Sequence, residues 1–280
     1  MIEQEAFYNN IVAELEDGSL VLPTLPEVAL QVRDVVDDPD VTAQGLAEII
    51  TTDAALSARL LKVANSALYR GRIAVESVQM AVSRLGLKMV RNLVTSLVME
   101  QMFQATSNRL EKRLHDLWKQ STEVAAISQV LAAKQKGIKT DEAMLAGLIH
   151  NIGVLPILLK AEECPELLQD TTMLDSIIKN LHPRVGEAIL KSWKFSDELV
   201  AVPAEHANLN RNSVNGPDLV DVVQVAVLQS YINTANAHDP GSLDGVPAFA
   251  KLGIDTDVSV VELDEDSEEY AEALALFSGM

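Results

Sequence analysis

Apolar residues in this chain recur with the period of a helix and nowhere with the alternation of a strand, and this constrains the fold more than any other feature. Val28, Leu30, Val32, Val35 and Val36 mark an amphipathic helix behind Pro23-Thr24-Leu25-Pro26. Pro26 suits a first helical turn, and Asp37-Asp38-Pro39 ends the helix. Thr42 stands where a cap belongs for the next helix, which is apolar at Leu46, Ala47, Ile49 and Ile50. Asp53 does the same for Ala54 to Ala64, whose Leu56, Leu60, Leu61 and Val63 face inward. Ser77 to Leu85 and Leu87 to Phe103 follow, parted by Gly86, and a long helix from about Arg109 to Lys136 stops at Gly137. Thr140 then caps a helix that runs into His150. Pro156 to Leu168, Met173 to Leu181, Pro183 to Trp193, Asp197 to His206 and Asp218 to Asn236 complete the series. The expected class is all-α.

Composition narrows the partners. Hydrophobic residues make up 48% of the 280 and aromatics only 4%, so the core must be built from Leu, Val, Ile, Ala and Met. With 22 Lys and Arg against 41 Asp and Glu, the formal net charge is -19. Such a chain is repelled by nucleic-acid backbones and by anionic membrane surfaces, so neither is expected as a partner. The single cysteine, Cys164, permits no intramolecular disulfide, fits a reducing compartment and reads as a small buried or half-buried residue. The first seventeen residues hold five acids and no basic leader. Leu85 to Met99, taken as the most hydrophobic segment, is too short and too charged to span a bilayer, and a cytoplasmic protein is expected.

Charge is uneven. Between Ala54 and Arg113 there are ten Lys or Arg and three acids, whereas beyond Lys251 there are nine acids and no base. Ordinary solvated faces explain this pattern. The sharper expectation is that the basic region holds an acidic partner, an anionic ligand or the chain's own tail, with a salt dependence to match.

The chemistry-bearing residues centre on Leu145 to Gly153, where an apolar helix meets a Gly turn carrying His150-Asn151. Adjacent His and Asp would suit a metal-dependent phosphohydrolase, but Asn is neutral and cannot bridge two cations. His150, His182 and His206 lie near the ends of expected helices, where three imidazoles could converge on a transition metal. His182 is expected just before a helix, with Pro183 in its first turn. No phosphate-cradling Gly-rich loop, Cys-x-x-Cys, His-Glu-x-x-His or Gly-x-Ser-x-Gly occurs.

Leu22-Pro23-Thr24-Leu25-Pro26, Asp37-Asp38-Pro39, Glu48 to Asp53, Leu60 to Ser66 and Ala81 to Gly86 together resemble the HDOD domain, a bacterial signalling relative of the HD phosphohydrolases. The resemblance extends over approximately Leu20 to Asn236. It implies a helical bundle over residues 1–105 packed on a degenerate HD-like core over 106–236, with 237–280 left as an acidic linker and short helix. It also implies a regulatory rather than catalytic role. Gln120 stands where the family's first His would be, Asn151 replaces the paired Asp, and Val227 falls at the place of the last Asp. Gln120, His150, Asn151, His182, Glu205 and His206 then form a remnant pocket, structural or ligand-sensing. No cofactor is expected beyond an adventitious divalent metal, for which His150, His182 and His206 are the candidates. Asn65 and Ser66, ordinary helix-end residues, together with Arg70 and Arg72 are the candidate interaction surface. The resulting expectation is a non-catalytic signal-transduction protein that meets a protein partner, or a second copy of itself, through its bundle. The alternatives are a phosphohydrolase of nucleotides or cyclic nucleotides with an altered site, and a small-molecule sensor.

Overall fold

The computed structural model describes residues 2–21, 23–66, 69, 71–103, 109–232, 242–256 and 264–277. Helices account for all regular structure among them. In chain order they are α1 (Ile2–Asp17), α2 (Glu27–Val36), α3 (Ala43–Thr51), α4 (Ala54–Ala64), α5 (Val78–Leu85) and α6 (Leu87–Val98), which ends in a 3-10 turn, Met99–Phe103. Then come α7 (Glu111–Ala133), α8 (Thr140–Ile149), α9 (Val154–Ala161), α10 (Pro165–Gln169), α11 (Thr171–Ser192) and α12 (Asp197–Glu205). The last are α13 (Leu219–Ser230), α14 (Pro247–Leu252) and α15 (Asp264–Ala275). Arg70, His238 and the expected end of the helix at Asn236 lie outside the described residues.

Local chemistry sets most boundaries. Thr42, Asp53 and Ser77 accept hydrogen bonds from the main-chain N–H groups of Gly45, Leu56 and Met80, satisfying donors that a helix start leaves open. Thr140 does not cap: Lys139 is the cap residue of α8, without a side-chain bond, and the Thr140 hydroxyl lies 3.5 Å from that of Tyr69. The long helix α7 closes at Ala133, short of Gly137.

The core is built around α7, which packs on α8 and α13, with α11 against α12. On the other side α6 lies across both α2 and α8 and so joins the bundle to the core. Its buried Asn92 donates to Asp141 of α8 at 2.8 Å. One apolar cluster runs from Phe7 in α1 to Phe277 behind α15.

Three expectations need correction here. Residues 171–192 form a single helix, with His182 and Pro183 inside it rather than at a start. Pro183 removes one helical hydrogen bond, at a cost of about 3 kcal/mol. The buried stripe Leu174, Ile177, Leu181, Val185, Ile189 continues on one face past it. Each such side chain contributes about 1.5–3 kcal/mol, enough to offset the break. Second, the most apolar helical run is Thr140–Ala161, the one run of membrane-spanning length and composition among the described residues, and not Leu85 to Met99. It is 83% buried inside the protein and is broken into α8 and α9 by the turn at 150–153. Third, Cys164 is exposed, because it precedes α10 in a surface turn.

The acidic tail also docks, but not in the manner its charge suggests. Arg59 and Lys62 of α4 donate to the carbonyls of Leu276 and Ala275, at 3.3 and 3.1 Å. These are C-terminal carbonyls of α15, where the helix dipole is negative and cations are favoured. Phe277 meets Trp118 of α7 edge-on, with ring centroids 5.9 Å apart.

Candidate functional site

Three histidines from three different helices meet in the core. His150 ends α8, His182 lies in the middle of α11 and His206 ends α12. The His150 and His206 rings stand edge to face with centroids 5.1 Å apart, and those of His182 and His206 are 5.4 Å apart. All three are buried.

Missing side chains bring these helices together. A Cβ on Gly147 would stand 2.7 Å from the Cα of Ala125, so its absence lets α8 settle directly on α7. Gly153 has ordinary helical φ, yet a Cβ there would run into the carbonyl oxygen of His182. The turn after His150 therefore touches the backbone of α11. Gly186 repeats the device one turn later, where a Cβ would stand 2.7 Å from Cβ of Pro203 in α12.

Each ring is fixed by its own helix. Nδ1 of His150 lies 2.6 Å from the Gly147 carbonyl, that of His182 2.9 Å from Ile178, and that of His206 2.9 Å from Val202. A carbonyl only accepts, so every Nδ1 carries its proton and, in a neutral ring, every Nε2 is bare. Neutrality follows from the surroundings. Burial, reinforced by the neighbouring His206 and His182, holds His150 well below the usual histidine range. Burial brings His206 down to about 4 and lowers His182 as well. Nε2 of His150 and of His182 has no hydrogen-bond partner among the described residues.

The other residues expected in this pocket go elsewhere. Gln120 donates to the Tyr231 hydroxyl at 2.5 Å, an acceptor the sequence did not advertise. Asn151 sits half-buried in the turn, where its main-chain carbonyl accepts from Val154 at 2.9 Å. Glu205 faces solvent and takes a hydrogen bond from Arg211. Val227 is half-buried and packs against the core.

A metal-dependent phosphohydrolase needs carboxylates to neutralise its cations and orient water. The donor set here is three neutral imidazoles, and among the described residues no group of three or more His, Cys, Asp or Glu is arranged to hold a metal ion. Asp221, the one buried carboxylate at the start of α13, is committed to other partners. It accepts from the Asp218 main chain in a capping box, receives Lys251 at 3.0 Å and has Arg211 at 3.5 Å. Arg211 also grips Asp218 at 2.8 Å. Arg211 and Lys251, both half-buried, carry no local signal of this role, because nothing in their spacing places them beside Asp221.

On the bundle, the Asn65 side chain clasps the main chain of Val75, accepting from its N–H and donating to its carbonyl, each at 2.8 Å. Ser66 donates to Val63 of its own helix end at 2.8 Å. Both therefore brace the loop after α4, and Arg72 is exposed on that loop.

Known proteins place this architecture. A Shewanella amazonensis SB2B protein, provisionally named a metal-dependent phosphohydrolase, has a crystal structure similar to this one at a TM-score of 0.85 and 33% identity, covering 99% of this chain and 100% of that one. An HDOD domain protein of unknown function from Geobacter sulfurreducens shares the fold at a TM-score of 0.66 and 22% identity, covering 99% of each chain. An uncharacterized protein of Treponema pallidum (strain Nichols) is 26% identical over 242 residues, 80% of this chain. The chain spans 45% of that relative's length. The HDOD domain model matches residues 22–209. With that match over most of its length, the chain belongs to the HDOD domain family.

Proposed function

We propose that this protein is a non-catalytic signalling module, which acts through protein contacts of its helical bundle and keeps the histidine cluster as a structural remnant of a metal site. The observation that carries the reading is the cluster itself: three neutral rings, each tied through Nδ1 to its own helix and packed edge to face, with no metal-holding group of three or more His, Cys, Asp or Glu among the described residues. Three nitrogen donors suit weak capture of a transition metal, but they leave water without a base and the cation without anionic ligands. Asn151 in place of Asp, Gln120 bonded to Tyr231 and Asp221 held by Lys251 all support the same reading. The partner is a protein of a signalling pathway, or a second copy of this chain, meeting the face around Asn65, Ser66 and Arg72.

The provisional name of the Shewanella relative supports the competing reading, metal-dependent phosphoester hydrolysis. A phosphodiesterase assay with manganese or iron(II), on nucleotide and cyclic-nucleotide substrates, separates the two. The expected result is no turnover above the buffer rate. Metal-dependent turnover abolished in His150→Ala would overturn the proposal.

A further inference from the structure

A cleft of about 600 Å³ opens between the bundle and the core, away from the three histidines. Its bundle wall is α2 and α6. Its core wall is the α7–α8 turn, the α11–α12 turn and the start of α13. This size is within the range of small-molecule sites. The floor is apolar, with Leu25, Phe195, Leu199 and Leu219. Five cations line it, in a protein of net charge -19: Arg33, Lys88, Arg91, Lys139 and Lys194.

Most charges in the cleft are already spoken for. Asp37 pairs with Arg91 at 3.3 Å, Glu142 with Lys139 at 2.6 Å and Asp218 with Arg211 at 2.8 Å. Arg33 pairs with Asp34 and donates to the Trp193 carbonyl at 2.9 Å. Among the described residues the ammonium groups of Lys88 and Lys194 make no ion pair or side-chain hydrogen bond, and the two lysines stand on opposite walls. Glu198 is the one lining carboxylate without a pairing of this kind, and it stands on the same wall as Lys194.

Lys194 stands out on conformation as well. At φ 57 it is the one non-glycine residue in the left-handed region among the described residues. It occupies the position just past α11 where the chain reverses: its N–H bonds the Lys191 carbonyl and that of Phe195 bonds Leu190, at 3.0 and 3.1 Å. Glycine is the usual residue at this point of such a helix ending, because it alone adopts the conformation without steric cost. A side chain kept there against that cost needs a use, and this one overhangs the cleft.

We propose that the cleft binds a small phosphomonoester with a ring: the dianion between Lys88 and Lys194, with Arg33 and Arg91 behind, and the ring on Phe195 and its apolar neighbours. The site is separate from the histidine cluster and does not depend on how that cluster is read.

Calorimetric titration of the full chain at low salt with AMP, pyrophosphate and adenosine tests this, with AMP carrying charge and ring together. The expected result is saturable one-site binding of AMP, weaker binding of pyrophosphate and none of adenosine. Lys194→Asn keeps a residue that tolerates the left-handed turn, and Lys88→Ala removes the facing cation. Each should weaken AMP about tenfold, the usual scale of one charged hydrogen bond. Lys194→Gly should lose the same affinity while its melting temperature rises by roughly 2–4 °C, an effect no structural role for the lysine would give. No saturable AMP binding at millimolar concentration would overturn the proposal. So would unchanged affinity in these variants, or an equal loss in Arg184→Ala, whose side chain lies outside the cleft.

Discussion

Two buried polar clusters sit within the same helical core and solve the burial problem in opposite ways. Around Asp221 the protein keeps full charges and neutralises them: a fully buried carboxylate meets Lys251 and Arg211, whose side chains are only 12% and 14% exposed. Around His206 it avoids charge altogether, holding three imidazoles neutral and parking each Nδ1–H on a carbonyl. The first cluster is closed and fails as a unit if one member is lost. The second stays open on its Nε2 side and is vulnerable to protons rather than to loss of a partner. An ancestral metal centre would need elements of both, carboxylate beside imidazole. Here they are separated.

The contrast can be broken most severely at Asp221. Asp221→Ala takes from Lys251 its buried carboxylate partner and from the Asp218 N–H its cap acceptor, while Arg211 keeps Asp218 and Glu205, and should cost about 3–5 kcal/mol in denaturant unfolding. The closest approach beneath the histidines comes next. Gly153→Ala forces a methyl against the His182 carbonyl, and a loss of about 3 kcal/mol, at the upper end of overpacking costs, is expected.

Acid should then weaken the histidine cluster. The folded pKa of His206, about 4, lies below the unfolded value, so the unfolded chain binds the proton first as pH falls. Stability from His206 is complete above about pH 6.5 and drains away between there and pH 4, on the order of 2–3 kcal/mol. His150 and His182 shift in the same direction and steepen the loss. A His206→Phe variant followed by thermal melts from pH 7 to 4 should show a shallower decline; an identical slope would remove His206 from the account. The smallest effect is expected at the tail. Arg59→Ala deletes a cation at the C-terminal carbonyls of α15 and should cost about 0.3–1 kcal/mol, read as faster proteolysis of the last helix.

Much of this architecture was legible in the residues. The all-α class followed from period alone, and the caps at Thr42 and Asp53 from local hydrogen-bonding chemistry. The HDOD motifs named the family that the match over 22–209 shows. What could not be read locally was set by tertiary packing. Pro183 signals a helix start, and only the shared buried stripe on both sides of it keeps α11 whole. The three histidines read as helix-end residues whose rings could converge, but what brings them together, the space left by missing Cβ atoms at Gly147, Gly153 and Gly186, had no local signal. Gln120 and Glu205 were grouped with them by motif position, but Tyr231 and Arg211 draw them into other contacts. Lys251 belongs to a segment read as linker, so its bond to Asp221 had no local signal.

The most direct test of the central claim is nitrogen-15 NMR of the histidine side chains, before and after titration with manganese or zinc. Three neutral rings protonated on Nδ1 at pH 7, with no stoichiometric shift of the Nε2 resonances on adding metal, are predicted. Tight one-to-one metal binding that shifts all three Nε2 resonances together would contradict the reading of this cluster as a structural remnant.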